Sequence, residues 1–113
     1  MPKDDLIYIE HIRESIKRIL EYTACLQLDD FLGQTLIQDA VIRNLEIIGE
    51  ATKQLSVEFK NKSPDIEWRK IAGMRDKLIH DYIGVDIWAV WAVVEKVLPE
   101  FKLKIENILR QET

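Results

Sequence analysis

The sequence is poor in the residues that crosslink chains or break helices. Its 113 residues include one cysteine, three prolines and four glycines. The single cysteine, Cys25, excludes an internal disulfide and fits a reducing compartment. No apolar run is long enough to cross a membrane, and the first eleven residues lack the apolar core of a signal peptide. We therefore expect a cytoplasmic protein with no membrane segment.

Length and composition favour one helical globular domain over residues 1–113. The chain is 47% hydrophobic and 32% charged, which is typical of a folded protein rather than a disordered one. A chain of this length can bury a core without metals or disulfides, and it has no room for a second domain. No convincing strand pattern, internal repeat or low-complexity tract is present.

The net charge of −4 argues against indiscriminate binding to nucleic acids, because phosphate contacts need cations. The charge is unevenly distributed, however. Residues 53–77 hold seven Lys or Arg against four Asp or Glu. This basic stretch is weak support for a phosphate site, since such a segment is also common on a solvated surface.

Apolar spacing predicts an all-α, up-and-down bundle of four to five helices. The residues expected to cap, interrupt or end helices are Asp4 or Asp5 as the first cap, Asp29 or Asp30 as the next, Gly33 as an interruption, Ser63 and Pro64 as cap and first helical residue, Gly73 as a loosened turn or a break, Gly84 as a terminus, Asp86 as the last cap and Pro99 as a kink. A long helix with a wide apolar surface is expected between Leu36 and Leu55.

The stretch RDKLIHDY, residues 75–82, combines three side chains that can act on phosphate. His80 can exchange a proton near neutral pH, and Arg75 can bind a phosphate through two parallel hydrogen bonds. Such a pair suits RNA cleavage by the ribose 2′-hydroxyl, which needs a base, an acid and anion stabilisation but no metal. No ligand set for a metal surrounds His80, and no cofactor motif is present, so we expect neither.

Helix geometry limits how these residues can cooperate. Arg75 and His80 lie roughly 140° apart around a regular helix, whereas Arg75 and Tyr82 are within about 20° of one line. Either Gly73 distorts the turn that carries Arg75, or a second copy of the motif meets the first across a two-fold axis. The pattern alone is also compatible with an ordinary solvent-exposed helix end, because this spacing often arises by chance.

Three blocks resemble the HepT-like proteins of the HEPN superfamily, across nearly the whole chain. They are QDAVIRNLEIIGEATKQLS (38–56), WRKIAGMRDKLIHDYIGVD (68–86) and VWAVVEKVLPEFK (90–102). The family's Arg-x4-His-x-Tyr element matches at Arg75, His80 and Tyr82. The resemblance implies an all-helical homodimer that acts as a metal-independent endoribonuclease toxin, in a type VII-like toxin–antitoxin pair. It also implies an MNT-type nucleotidyltransferase antitoxin that silences the toxin by transferring AMP to Tyr82.

Residues outside the motif have weaker indications of function. Asp39, Arg43, Glu46 and Glu50 form a charged stripe, interpreted either as a ladder of ion pairs or as the source of partners for the motif. In the second interpretation Arg43, Asn44 or Glu50 would orient Arg75 or His80, and Asp76 would tune His80. His11 is expected to have no chemical role. The tyrosines and tryptophans are expected to be core or interface anchors, with Trp88 and Trp91 packing against the motif helix.

Two functions therefore remain open from the sequence. In the first, the chain is an RNase toxin with Arg75 and His80 as catalytic residues and Tyr82 as the substrate-positioning residue and AMP acceptor. In the second, it is a non-catalytic helical module that docks a nucleotidyltransferase through Arg75 and Tyr82, which its acidic charge slightly favours. A nucleotide-sensing domain is a more distant third.

Overall fold

A computed structural model describes residues 3–78 and 86–111, and all regular structure in these ranges is helical. The helices are α1 (Lys3–Thr23), α2 (Leu28–Leu32), α3 (Thr35–Gln54), α4 (Val57–Asn61), α5 (Trp68–Leu78), α6 (Ile87–Ala92) and α7 (Leu98–Gln111), with a π-helical turn (Val93–Val97) joining the last two. The prediction of an all-α protein is confirmed. The predicted end of the motif helix at Gly84 lies outside the described residues.

The core is a single cluster of aliphatic and aromatic side chains between the long helices. Helix α1 contributes four isoleucines that are fully buried at helical spacing, Ile9, Ile12, Ile16 and Ile19. They pack in one cluster with buried side chains of α3, α5 and α7. Because one apolar stripe of each long helix faces the same cluster, burial of these stripes holds the bundle together.

Contacts between helix ends establish the order of the bundle. The start of α1 meets the end of α3, where Asp5 bonds to Ser56. The start of α5 lies at the same end, because the Trp68 indole nitrogen donates to the Lys60 carbonyl and its ring contacts Phe101 of α7. The first turns of α6 lie at the opposite end, against α2. The four long helical rods, α1, α3, α5 and α6–α7, therefore run up, down, up and down.

Asp5 is a tertiary contact rather than the predicted cap of α1. Both Asp4 and Asp5 lie inside α1, and Asp5 is only 3% exposed. Its carboxylate accepts hydrogen bonds of 2.8 Å from the Ser56 backbone N–H and from the Ser56 hydroxyl. The Ser56 hydroxyl oxygen in turn accepts from the Phe59 N–H and caps α4. A charged group is stable at this buried position because both carboxylate oxygens are hydrogen-bonded.

The start of α5 differs from the prediction of a helix that opens at Ser63 and Pro64. The chain makes turns there, and α5 begins at Trp68. The Trp68 indole N–H is shared at 3.2 Å between the carbonyls of Lys60 and Ser63. The Ser63 carbonyl also accepts from the Ile66 N–H. Burial of Trp68 thus fixes the turn, which overrides the local preference of the Ser–Pro pair.

Gly73 does not interrupt α5, so the predicted break there is wrong. The helix is continuous from Trp68 to Leu78. A Cβ added at Gly73 would meet nothing within 4 Å, apart from atoms of the helix itself. A glycine inside a helix costs only about 1 kcal/mol relative to alanine, which tertiary packing can offset.

The other predicted boundaries are partly confirmed. Asp86 caps α6 by accepting from the Ala89 N–H, and Gly33 ends α2. The N-cap of α2 is Gln27 rather than an aspartate, although the carboxylate of Asp30 accepts from the Gln27 N–H. A π-helical turn, Val93–Val97, lies just before Pro99, where a kink is predicted. Proline lacks an N–H and crowds the carbonyl four residues before it, and a wider turn relieves this conflict.

Among the residues that the structure describes, none of the helices combines the length and the apolar character needed to span a lipid bilayer.

The Asp5–Ser56 contact should contribute strongly to stability. Asp5→Ala removes two charge-assisted hydrogen bonds and leaves the donors of Ser56 without their acceptor, so we expect a loss of about 2–4 kcal/mol in the free energy of unfolding. Asp4→Ala is the matched control, because it removes the same charge at an exposed neighbouring position. Urea denaturation measures both variants. An equal, small effect of the two substitutions would show that the contact has no special role.

Candidate functional site

The predicted motif begins in the last turns of α5. Arg75 lies within this helix, and Asp76 beside it is exposed. His80 and Tyr82 lie outside the described residues. The α-helical backbone from Trp68 to Leu78 removes one of the two alternatives for bringing Arg75 and His80 together, since no distortion at Gly73 displaces the turn that carries Arg75.

An open groove of about 620 Å³ lies between α1 and α3. Helix α1 contributes Tyr8 and His11 to its lining, and α3 contributes the rest, namely Arg43, Glu46, Ile47, Glu50, Ala51 and Gln54. The volume falls in the range of small-molecule sites, but the groove is wide open and its lining is charged at both signs. It therefore resembles a contact surface more closely than an enclosed substrate pocket.

Two of the predicted partner residues, Arg43 and Glu50, line this groove together. They are seven residues apart on α3, so they lie within about 20° of one line along the helix and about 10.5 Å apart along its axis. Both side chains are exposed. The only ion pair of Glu50 among the described residues is a loose contact of 3.6 Å with Lys53, and Arg43 has none within this part of the chain. Arg43 thus pairs neither with Asp39 nor with Glu46, and the predicted ladder of ion pairs is not formed around it.

Asn44 lies on a different face of α3. It is 5% exposed, and its Nδ2 donates to the Ala40 carbonyl at 2.8 Å. Its Oδ1 is buried and has no hydrogen-bond partner among the described residues. Because Asn44 follows Arg43 directly, the two side chains point about 100° apart, and the sequence-predicted set is divided between two faces. A buried acceptor without a donor is uncommon and indicates a place where a polar partner is needed.

Sequence patterns did not identify Tyr8 and His11 as part of a surface feature. Their rings contact edge to face, with centroids 6.4 Å apart. Their spacing of three residues places them on one face of α1, and this spacing is the sequence pattern that could have indicated a shared surface. The pair becomes part of a groove only because α3 packs alongside α1, and no local pattern contains that information.

Trp91 and Trp88 differ in their burial. Trp91 is buried and packs on Phe31 of α2, with ring centroids 5.0 Å apart. Trp88 is 62% exposed. Of the two predicted roles, core or interface anchor, the exposure of Trp88 on the first turn of α6 excludes the core, and the role of interface anchor stays a prediction. Whether either ring contacts the motif stays a prediction, since residues 79–85 lie outside the described part.

Among the described residues, the other charge pairs on the surface join neighbours three or four positions apart, except for the contact of Lys104 with Asp65. At the start of α5, Lys70 and Glu67 approach to 2.7 Å. This hydrogen-bonded pair lowers the pKa of Glu67 and raises the pKa of Lys70. Both groups are exposed, so the pair has little effect on stability. Within residues 3–78 and 86–111, no three His, Cys, Asp or Glu side chains are placed to hold a metal ion.

Comparison with known proteins gives consistent similarities. A family model described as ribonuclease HepT-like matches residues 12–108. A Thermococcus cleftensis protein named "Probable ribonuclease HepT" is 48% identical over 101 residues, which cover 89% of this chain and 92% of that protein. A Caldanaerobacter subterraneus protein named as a putative RNase is 40% identical over 105 residues, covering 93% and 94%.

A longer relative also matches. A Methanocaldococcus jannaschii protein named "Gamma-glutamylcyclotransferase and putative RNase" is 49% identical over 111 residues. The alignment covers 98% of this chain but 50% of that protein, so the chain spans about half its length. No solved structure is significantly similar to this chain.

Proposed function

Because the chain belongs to the HepT-like ribonuclease family, we propose that it is a metal-independent endoribonuclease and the toxin of a toxin–antitoxin pair. The observation that carries the proposal is the family match over residues 12–108, together with the intact sequence of Arg75, His80 and Tyr82 within that span. We place the protein in the cytoplasm, where an exposed free thiol such as Cys25 stays reduced.

In the proposed reaction, His80 moves the protons and Arg75 stabilises charge. The 2′-hydroxyl of the RNA loses its proton to a histidine and attacks the adjacent phosphorus. The bond to the 5′-oxygen breaks, and that oxygen takes up a proton as it leaves. Arg75 offsets the extra negative charge on the phosphate oxygens during the transfer. The products are a cyclic phosphate and a free 5′-hydroxyl.

A homodimer would supply a second histidine, which allows the base and the acid to be separate groups without requiring both for partial activity. One chain has a single motif histidine, and a regular helix directs Arg75 and His80 roughly 140° apart. Continuity of the α5 backbone through Gly73 supports the two-fold arrangement over a local distortion. We therefore propose that the cleavage site is a cleft shared by two protomers.

We propose that Asn44 orients a group of the motif. The support is its buried Oδ1, which lacks a donor among the described residues, on a helix that packs directly against α5. A hydrogen bond from a catalytic side chain would satisfy this oxygen and fix the ring or guanidinium in place. Arg43, Glu50 and Asp76 have weaker support as partners of the motif, because all three are exposed.

Regulation would act on the same site. An MNT-type nucleotidyltransferase antitoxin would transfer AMP from ATP to the Tyr82 hydroxyl, releasing pyrophosphate. The added phosphate would place a negative charge within reach of Arg75 and repel incoming RNA. The alternative is a non-catalytic module that only docks the nucleotidyltransferase, which the net charge of −4 favours. The two functions differ in whether the chain itself cleaves RNA.

Purified protein should cleave RNA in the presence of a chelator and leave cyclic phosphate ends. His80→Ala should abolish this activity, because it removes the proton-transfer group. Asn107→Ala, an exposed position on α7, is purified in parallel and should cleave like the wild type. Gel analysis of a labelled RNA measures the activity, and circular dichroism checks the fold. Equal cleavage by the wild type and His80→Ala would indicate a contaminating nuclease and contradict catalysis by this chain.

Tyr82 should gain one AMP when the chain is incubated with its nucleotidyltransferase and ATP. Tyr82→Phe should gain none, whereas Tyr22→Phe should be modified like the wild type, because the motif tyrosine alone lies beside the proposed phosphate site. Peptide mass spectrometry locates the adduct. AMP on Tyr8 or Tyr22 would refute the assignment.

A further inference from the structure

Trp88 is a large aromatic side chain that the fold leaves in solvent. It is 62% exposed, whereas Trp68 and Trp91 are each only 7% exposed. Val90, which lies about 160° from Trp88 around α6, is fully buried. Helix α6 therefore packs on the bundle through Val90 and Trp91 and presents Trp88 on its outer side. Tryptophan in such a position is enriched where proteins bind partners.

The backbone that carries Trp88 is fixed on both sides. Before it, the Asp86 carboxylate accepts a hydrogen bond of 3.1 Å from the Ala89 N–H and caps the helix. After it, the Trp91 ring packs on Phe31 of α2. An aromatic ring on a fixed backbone has few rotatable bonds, so it loses little conformational entropy when it binds a flat partner.

Trp88 lies at the end of the bundle toward which α5 runs. Helix α5 starts at the end where Trp68 contacts Phe101, so its last turns, with Arg75, lie toward the end where α6 begins. Tyr82 precedes Trp88 by six residues, so their Cα atoms are within about 22 Å of each other whatever path the chain takes. A strand bound at the motif can therefore reach the indole with a flanking nucleotide.

We propose that Trp88 stacks on an unpaired base of the RNA substrate and so positions the strand at the cleavage site. This inference rests on the proposed function and adds a substrate class to it, namely RNA that is single-stranded beside the cleaved bond. Aromatic rings bind single strands by stacking on the flat faces of the bases, which every base has. In a duplex, neighbouring bases cover those faces, so the contact selects unpaired RNA.

The surroundings of Trp88 fit one base better than a protein surface. Its neighbours Ala89 and Ala92 are small, and no charged side chain occurs between Ile87 and Val94. A specific protein interface buries about 800 Å² on each side, around a core of apolar side chains. A single ring between small neighbours instead offers contact to one flat group. Stacking also needs no cation, which suits a chain with a net charge of −4.

RNA binding measured without cleavage tests the stack. The His80→Ala chain keeps RNA uncut and serves as the parent for each substitution. The probe is a fluorescein-labelled oligouridylate, and fluorescence anisotropy in the presence of a chelator gives its Kd. Trp88→Ala should weaken binding roughly 5- to 150-fold, the loss expected for one stacked base, whereas Trp88→Phe should retain most of the affinity. Leu103→Ala removes a side chain of similar exposure, 67%, on α7 and should bind like the parent.

Two further measurements separate a stack from a structural role. When the labelled strand is annealed to oligoadenylate, the difference between Trp88→Ala and its parent should disappear, because the bases already stack on one another. In chains that retain His80, Trp88→Ala should raise the KM for cleavage of single-stranded RNA and leave kcat nearly unchanged. The substitution removes binding and leaves the groups that transfer protons in place.

The outcomes separate this inference from the proposed function. Equal binding of the single strand by Trp88→Ala and its parent, or an equal loss for strand and duplex, would overturn the stack and leave the proposed cleavage intact. Dissociation of a dimer by Trp88→Ala in sedimentation would assign the ring to a contact between copies instead. Loss of nucleotidyltransferase binding with unchanged RNA affinity would assign it to that partner. A wild type that neither binds nor cleaves RNA would overturn the proposed function and this inference together.

Discussion

The packing of α3 between α1 and α5 is the constraint on which the rest of the structure depends. Consecutive residues lie about 100° apart around a helix. When the helix contacts two neighbours, this angle determines whether a side chain is buried against a neighbour or exposed to solvent. Arg43 and Asn44 illustrate the result, because the first is exposed on the outer face and the second is buried. One helix thus supplies core, a buried polar group and an open charged face, each from a different set of positions.

The same periodicity applies to the part of the motif that lies on α5. The helix is regular through Gly73 up to Leu78, so the positions that follow cannot be brought into line with Arg75 by a distortion at that glycine. Within one protomer, Arg75 and a histidine five residues later would face apart in a continued helix. The proposed two-fold axis would resolve the problem with no change in the backbone.

Much of the fold could be predicted from the sequence, because local patterns determine it. The isoleucines of α1 and the Asp86 cap of α6 follow from spacing and capping preference alone. Two of the errors have one cause in common, which is that tertiary contacts override a local signal. Asp5 accepts a hydrogen bond from Ser56 instead of capping its own helix. The Trp68 indole N–H donates to the Ser63 carbonyl and stabilises a turn where Ser63 and Pro64 favour a helix.

The site was less predictable than the fold. The charged stripe on α3 was visible in the sequence, but its separation into an outer face and a buried Asn44 depends on which neighbours α3 acquires. The spacing of Tyr8 and His11 places them on one face of α1, but only the approach of α3 gives them a shared groove. The roles of Arg75, His80 and Tyr82 remain proposals that the motif and the family membership support.

The central claim, that two protomers build one cleavage site, is tested most directly by mixing two inactive variants. Arg75→Ala and His80→Ala chains are co-folded, and native mass spectrometry verifies that the heterodimer has formed. A shared cleft retains one arginine and one histidine in this heterodimer, so partial RNA cleavage should return although each homodimer is inactive. A heterodimer that forms but does not cleave would contradict the shared site, because a self-sufficient protomer would have no complete pair in either half.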